Sequence, residues 1–309
     1  MLRAAVVGHA VILAAFGAAA GAAVQGPVFR GAVDLVPVAV TVVDRKGEAV
    51  LGLSADDFAI LEDGQPQAIS YFARGDAATT ARPALHLGLL LDYSESMLDE
   101  MAFTRTAAVK FLNTLTDAAD ITLVDFDTEV RAATYAQADY VRVIERIRQQ
   151  KVKGMTALYD AIGTYLDGAA ALEGRKVMLV YTDGGDTTSA LGRGELMDLL
   201  KASDVTVYAV GSPSGRPGSA RTAQDQLLRQ IAALTGGQAF FPQSIAELDA
   251  VYARVVREIR AQYTLGYTST NAAADGRWRR IQVRLVSPDA RERRVRTRPG
   301  YFAPLRRQP

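Results

Sequence analysis

Asp92-Tyr93-Ser94-Glu95-Ser96 places a carboxylate and two hydroxyls at alternate positions, directly after the apolar run Leu85-His86-Leu87-Gly88-Leu89-Leu90-Leu91. A tight loop at the end of a buried strand turns all three side-chain oxygens toward one point. Oxygen donors in that arrangement suit a small, hard cation. Two further oxygen-bearing positions lie downstream: Thr156 in Gly154-Met155-Thr156-Ala157-Leu158, and Asp183 in Tyr181-Thr182-Asp183-Gly184-Gly185-Asp186. Taken alone, the Asp-x-Ser-x-Ser segment also reads as an Asp- and Ser-rich turn capping a helix.

Other chemistries find less support. The only histidines are His9 and His86, so a His-based triad or a His-rich metal site is not expected. The chain has no cysteine, which excludes disulfides, a lipid-modified cysteine and thiolate metal sites. Aspartyl-phosphate enzymes of related topology usually place a second acid two residues after the nucleophile, here Asp92, to serve as acid/base. That position is Ser94, which cannot serve near neutral pH. No Gly-x-Ser-x-Gly elbow or phosphate-cradling Walker loop occurs. A Mg-dependent hydrolase is therefore the weakest alternative, and the expectation is a protein that is not an enzyme.

The elements that must position these residues read as α/β. From about Leu85 to Gln262, apolar runs alternate with helical stretches. Strands are expected at Leu85–Leu91, Asp120–Phe126, Lys176–Tyr181, Val205–Val210 and Gly237–Phe241. Helices are expected at Met97–Leu115, Tyr140–Gln149, Ala157–Ala171 and Ala246–Ile259. Continuous apolar strands separated by helices predict a doubly wound, mainly parallel sheet covered on both faces. In such sheets ligands gather outside the carboxyl ends of the strands, where strand order reverses. Asp92 and Asp183 both fall on that edge.

The flanks have β texture. Val36–Val43 is β-branched, and Phe58–Glu62, Asp63-Gly64 and Gln67–Phe72 predict a hairpin with an Asp-Gly bend. Ile281–Val286 alternates as a half-buried antiparallel strand does, and Arg294–Arg298 does so less cleanly. Neither flank has strands enough for its own core, so the two are expected to pair into one small all-β sandwich with the α/β domain inserted. The expected division is 1–24 signal peptide, 25–84 N-terminal β segment, 85–262 α/β domain and 263–309 C-terminal β segment.

A length of 309 residues suits two domains, and 49% hydrophobic content supplies material for their cores. The net charge of +1 names no partner. Met1-Leu2-Arg3, an apolar stretch to Phe16 and small residues to Val24 read as a secretory signal peptide; an uncleaved anchor is the alternative. The chain is thus expected to be exported, periplasmic or extracellular, with membrane contact only through that segment. Eleven arginines fall between Arg277 and Arg307. They read either as a polyanion footprint or as the solvated face of strands, with Asp289 and Glu292 interspersed. The loop Gly211–Ser219 follows a strand onto the edge of the presumed ion site, as a specificity loop or a surface insertion.

Asp92, Ser94, Ser96, Thr156 and Asp183, in that order, resemble the metal-ion-dependent adhesion site of the von Willebrand factor type A (integrin I-like) family. Val42–Gly47, Asp57–Gly64, Tyr263–Tyr267 and Arg298–Tyr301 are similar to the outer segments of bacterial "VWFA-related" proteins. The resemblance implies that Ser94 and Ser96 coordinate Mg²⁺ (or Mn²⁺ or Ca²⁺) through their hydroxyls. It implies that Thr156 binds directly or through water, and that Asp92 and Asp183 act mainly through water or hydrogen bonds. A coordination position left open would accept a Glu or Asp from a protein partner, with no role for nucleic acid. A shift of the helix around Ala246–Ile259 would then alter how Thr156 engages the ion. A second reading has the ion serving folding only, within an envelope complex. Asp99 and Glu100 fit either a neighbouring Ca²⁺ site or acids complementing a helix dipole. Asp186 is read as a loop carboxylate, and Asp160 as an anchor of the Thr156 loop.

Overall fold

The computed structural model describes residues 35–77, 82–211, 219–286 and 288–305. The signal-peptide reading of 1–24 and the loop at 212–218 lie outside the described residues. The chain begins with β1 (Leu35–Val43), β2 (Phe58–Glu62), β3 (Gln65–Gln67) and β4 (Ile69–Ala73). An α/β unit follows: β5 (Leu85–Asp92), α1 (Met101–Thr114), β6 (Asp120–Phe126), β7 (Val130–Ala136), α2 (Tyr140–Gln149), α3 (Leu158–Ala169) and β8 (Arg175–Thr182). It continues with α4 (Arg193–Ala202), β9 (Thr206–Gly211), α5 (Ser219–Leu234), β10 (Gln238–Phe240) and α6 (Ile245–Ala261). The chain returns to β structure with β11 (Tyr263–Thr268), β12 (Trp278–Leu285), β13 (Arg294–Arg296) and β14 (Gly300–Phe302).

The six-stranded sheet has the order β10-β9-β8-β5-β6-β7, parallel except for β7. Its central strands are apolar throughout because both faces are covered: every residue of β8 is buried, as are seven of the eight in β5. Leu87, Leu89 and Leu91 face α1, α2 and α6, while Leu90 faces α3, α4 and α5. The period of two along the strand thus divides the apolar residues between two cores. On α6, Leu248, Tyr252, Val255, Val256 and Ile259 form the buried stripe, and Ser244 caps the helix by accepting from the Glu247 amide at 3.2 Å.

The flanks build two four-stranded sheets, β13-β1-β11-β4 and β14-β12-β2-β3, each mixing strands from before and after the α/β unit. Their shared core contains Val38 and Val40 of β1, Ile60 of β2, Leu265 of β11 and Ile281 of β12. Val38 pairs with Leu265 in one sheet and Ile60 with Val283 in the other.

Three expectations need correction. The Asp63-Gly64 bend joins β2 to the short β3, with both residues at positive φ (47° and 86°), as a two-residue hairpin turn requires. The chain then breaks at Ala68, and β4 crosses to pair with β11, so Gln67–Phe72 is not one hairpin arm. The helix expected from Met97 begins at Met101. Glu95–Glu100 is wound as 3-10 turns instead, because this segment curls to bring Ser94 and Ser96 beside Asp92. The edge strand β7 escaped the pattern because its residues are only half-buried or exposed.

Candidate metal centre

The chain enters the sheet at its centre on β5, steps to β6 on one side, and later crosses to β8 on the other. Strand order therefore reverses between β5 and β8, and the carboxyl ends of those two strands open a crevice. Asp92 closes β5, and Asp183 follows β8 directly.

Asp92 is fully buried. Its Oδ1 accepts from the Ser94 amide (2.9 Å) and the Ser94 hydroxyl (2.6 Å), and its Oδ2 accepts from the Thr182 hydroxyl (2.6 Å). The Ser94 and Ser96 hydroxyls lie 3.1 Å apart. Ser94 is buried whereas Ser96 is exposed, so the row of oxygens runs from the interior to solvent. Among the described residues no arginine or lysine hydrogen-bonds Asp92. Burial drives its carboxyl up to about 7 against the lowering effect of those hydrogen bonds, and the charge of Asp183 adds to the rise.

Backbone ties assemble the other two loops around this row. Glu95 N donates to Gly154 O (3.1 Å) and Lys153 N to Tyr93 O (2.9 Å), which seats the loop before Thr156 against the Asp92 turn. The Met155 amide donates to the Thr128 hydroxyl (2.9 Å) from the β6–β7 turn. Gly154 is needed there: its φ is +70°, and a Cβ would lie 2.4 Å from the Thr128 oxygen. The Thr156 amide donates to the Thr187 hydroxyl (2.9 Å), and its carbonyl accepts from the Thr187 amide (2.9 Å). Thr156 is itself buried, and its hydroxyl makes no hydrogen bond among the described residues. The Asp183 carboxylate accepts from the Gly185 amide at 2.8 Å. Asp92, Ser94 and Ser96 are thus joined directly; Thr156 and Asp183 reach the same edge through their loops, without a direct hydrogen bond to that row.

Asp160 acts differently from the expectation. Its carboxylate accepts from the Ala190 (2.8 Å) and Leu191 (2.9 Å) amides, anchoring the loop after Asp183 rather than the Thr156 loop. Asp186 accepts from the Tyr159 amide (3.1 Å) and the Ser189 hydroxyl (2.6 Å). Glu100 turns inward, with the Tyr181 hydroxyl 3.5 Å away, whereas Asp99 is exposed. Sequence reasoning missed Thr182, which donates to Asp92 and accepts from the Gly184 amide (3.1 Å). Its signal was a hydroxyl closing an otherwise apolar strand. His86 stands at the opposite end of β5, bonded to Asp120 (2.7 Å) and the Glu173 carbonyl (2.9 Å).

The donor set fits a hard cation. It consists of hydroxyl and carboxylate oxygens only, and among the described residues its buried carboxyl has no basic partner and its Thr156 hydroxyl no hydrogen bond. Among the described residues there is no grouping of three or more His, Asp or Glu that would hold a metal as an acidic cluster. Any ion here would rest largely on neutral hydroxyls.

The model of the von Willebrand factor type A domain matches residues 86–254. No match was found among curated proteins. Among solved structures, the chain is similar to a von Willebrand factor type A protein from Catenulispora acidiphila: 12% identity, 88% of this chain and 74% of that one, TM-score 0.49. It is also similar to the pilus adhesin SpaC of Lactobacillus rhamnosus GG in its open conformation, at 11% identity and TM-score 0.50. That match covers 86% of this chain and 48% of SpaC, so the chain spans about half of the adhesin. BatB of Bacteroides thetaiotaomicron aligns at 16% identity over 57% of this chain and 98% of its own, with TM-score 0.45. At these identities the likeness concerns the fold alone. The family model spans more than half of the 309 residues and contains Asp92, Ser94, Ser96, Thr156 and Asp183, and the chain belongs to the von Willebrand factor type A domain family.

Proposed function

We propose that this protein is an exported, non-catalytic protein-binding module whose Asp92–Asp183 crevice holds a divalent ion and accepts a carboxylate from its partner. The observation that carries the reading is the hydrogen-bonded row Asp92–Ser94–Ser96, which leads from a buried carboxyl to an exposed hydroxyl at the strand switch point. Ser94, Ser96 and Thr156 would hold Mg²⁺ (or Mn²⁺ or Ca²⁺) by their hydroxyls, with Asp92 and Asp183 engaged through water or hydrogen bonds. When bound, the ion supplies a positive charge that few anionic ligands quench, and so an attraction for an acidic side chain. Leu98 and Met155, 66% and 52% exposed, lie two residues from Ser96 and next to Thr156 and offer the partner an apolar rim. The exposure of Ser96 at the solvent end of the row favours this reading over an ion that serves folding only. The apolar, small-residue run of 1–24 favours export.

The test is calorimetric titration of the protein with Mg²⁺ and Mn²⁺ into the millimolar range, beside Asp92→Ala. Saturable binding is expected in the parent and none in the variant, with the far-UV circular dichroism of the two alike. Equal binding in both proteins, or none in either, would overturn the proposal.

A further inference from the structure

On the side of the molecule where the α/β unit meets the sandwich lies a cavity of about 370 Å³. It is lined by the turn after β1, by α6 and β10, and by the segment from Arg291 to Arg296. Seven of its lining residues are arginine or lysine, against two acids, Asp44 and Glu292. Asp44 is already committed to its own turn, accepting from the Lys46 (2.8 Å) and Glu48 (2.9 Å) amides.

Two of these cations, Arg254 and Arg296, share a single acid. Glu258, fully buried behind the cavity, receives Arg254 Nε at 3.1 Å on one oxygen and Arg296 on the other. Both guanidinium groups also donate to the one Gln238 side-chain carbonyl. Two positive charges on one carboxylate leave an excess of one, and Arg296 Nε is buried without a hydrogen-bond partner among the described residues. Gly47 makes room for this pair: its φ is +81°, and a Cβ there would lie 2.8 Å from Arg254 Nη2.

Adhesion between the two units accounts for Arg254, Arg296 and Glu258. It does not account for Lys46, Arg291 and Arg294, which line the same cavity and whose side chains make no ion pair or hydrogen bond among the described residues. All three are exposed, and a cavity lined by cations in excess draws an anion toward it. Guanidinium forks match the oxygens of a phosphate group two at a time. The volume accommodates a phosphate with part of the group that carries it.

We propose that this cavity is a binding site for a phosphate-bearing ligand, distinct from the Asp92 crevice. The ligand would sit between Arg254 of α6 and the cations of the flanking segments. Its phosphate would belong either to a lipid headgroup or to a soluble phosphate compound.

The test uses the full chain in EDTA, so that no divalent ion carries phosphate to the Asp92 crevice. Inorganic pyrophosphate is titrated calorimetrically into the parent, Lys46→Glu/Arg294→Glu, and Arg284→Glu, the last an exposed strand position outside the cavity. Saturable binding is expected in the parent, weakened by about tenfold in the double variant and unchanged in Arg284→Glu. Should the double variant unfold, Arg291→Glu alone is expected to weaken binding by about threefold. Co-sedimentation with phosphatidylglycerol vesicles, reversed by pyrophosphate, would identify a lipid headgroup; pyrophosphate binding without vesicle binding would identify a soluble ligand. Absent pyrophosphate binding, or binding weakened equally by Arg284→Glu, would overturn the proposal.

Discussion

Asp92 is costly to keep. A carboxyl buried away from water resists ionisation, and Asp183 nearby makes it worse. Its folded-state value near 7 lies above the ordinary 3.8, so the folded protein holds this proton more tightly than the unfolded chain does. Its contribution to stability is therefore complete below about pH 4 and is lost as the pH rises through about 7. In EDTA, the parent should lose more stability than Asp92→Asn between about pH 5 and about pH 8, on the order of a few kcal/mol. Urea unfolding of both proteins at the two pH values checks this, and parallel losses would refute it. A bound cation would compete with that proton, so apparent Mg²⁺ affinity should climb over the same interval.

The central strand and the helix behind the Thr156 loop meet at a point of very close packing. Gly88, in the middle of β5, lies under the ring of Tyr165 on α3; a Cβ on that glycine would stand 2.4 Å from the ring. Tyr165 is buried, and its hydroxyl donates to the Val177 carbonyl of β8 at 3.3 Å. Gly88→Ala must displace either the ring or the helix, at about 1–3 kcal/mol. Thermal unfolding should register a lower Tm for Gly88→Ala, with part of the loss recovered in Gly88→Ala/Tyr165→Leu. An unchanged Tm would show that α3 rides freely over the sheet. Because α3 begins two residues after Thr156, the same contact helps fix the height of that loop.

The sandwich depends on residues drawn from both ends of the chain. Glu62 of β2 is buried and accepts from three hydroxyls of the C-terminal flank: Tyr267 (2.7 Å), Tyr301 (2.9 Å) and Ser269 (2.6 Å). Burial, reinforced by that carboxylate, pushes the Tyr301 phenol up to about 12 and the Tyr267 phenol higher still. Glu62→Ala leaves three donors without their acceptor and should cost about 3 kcal/mol or more, whereas Glu62→Gln keeps an acceptor and should cost less. Chemical denaturation with near-ultraviolet dichroism of the tyrosines would measure both. A loss confined to a few tenths of a kcal/mol in Glu62→Ala would mean that water replaces the carboxylate.

Much of this molecule is legible in its sequence. The nearly continuous apolar texture of Leu85–Leu91 and the helical stretches beyond it were enough to announce a covered parallel sheet, because such strands are apolar on both faces. Asp92, Ser94 and Ser96 were readable together because two-residue spacing at a strand end is local geometry. The rest depended on contacts between distant segments. The crossing of β4 to β11, the turn of Asp160 toward Ala190 and Leu191, and the Thr182 hydroxyl under Asp92 each join residues whose sequence neighbourhoods do not reveal one another. The arginine run posed the same difficulty. Sequence showed many cations, and only the fold decided which are balanced by Glu258, which by Asp275 and Asp289, and which line an open cavity with no ion pair among the described residues. Periodicity and local spacing are written along the chain, whereas charge balance and burial are properties of the neighbours that folding brings together.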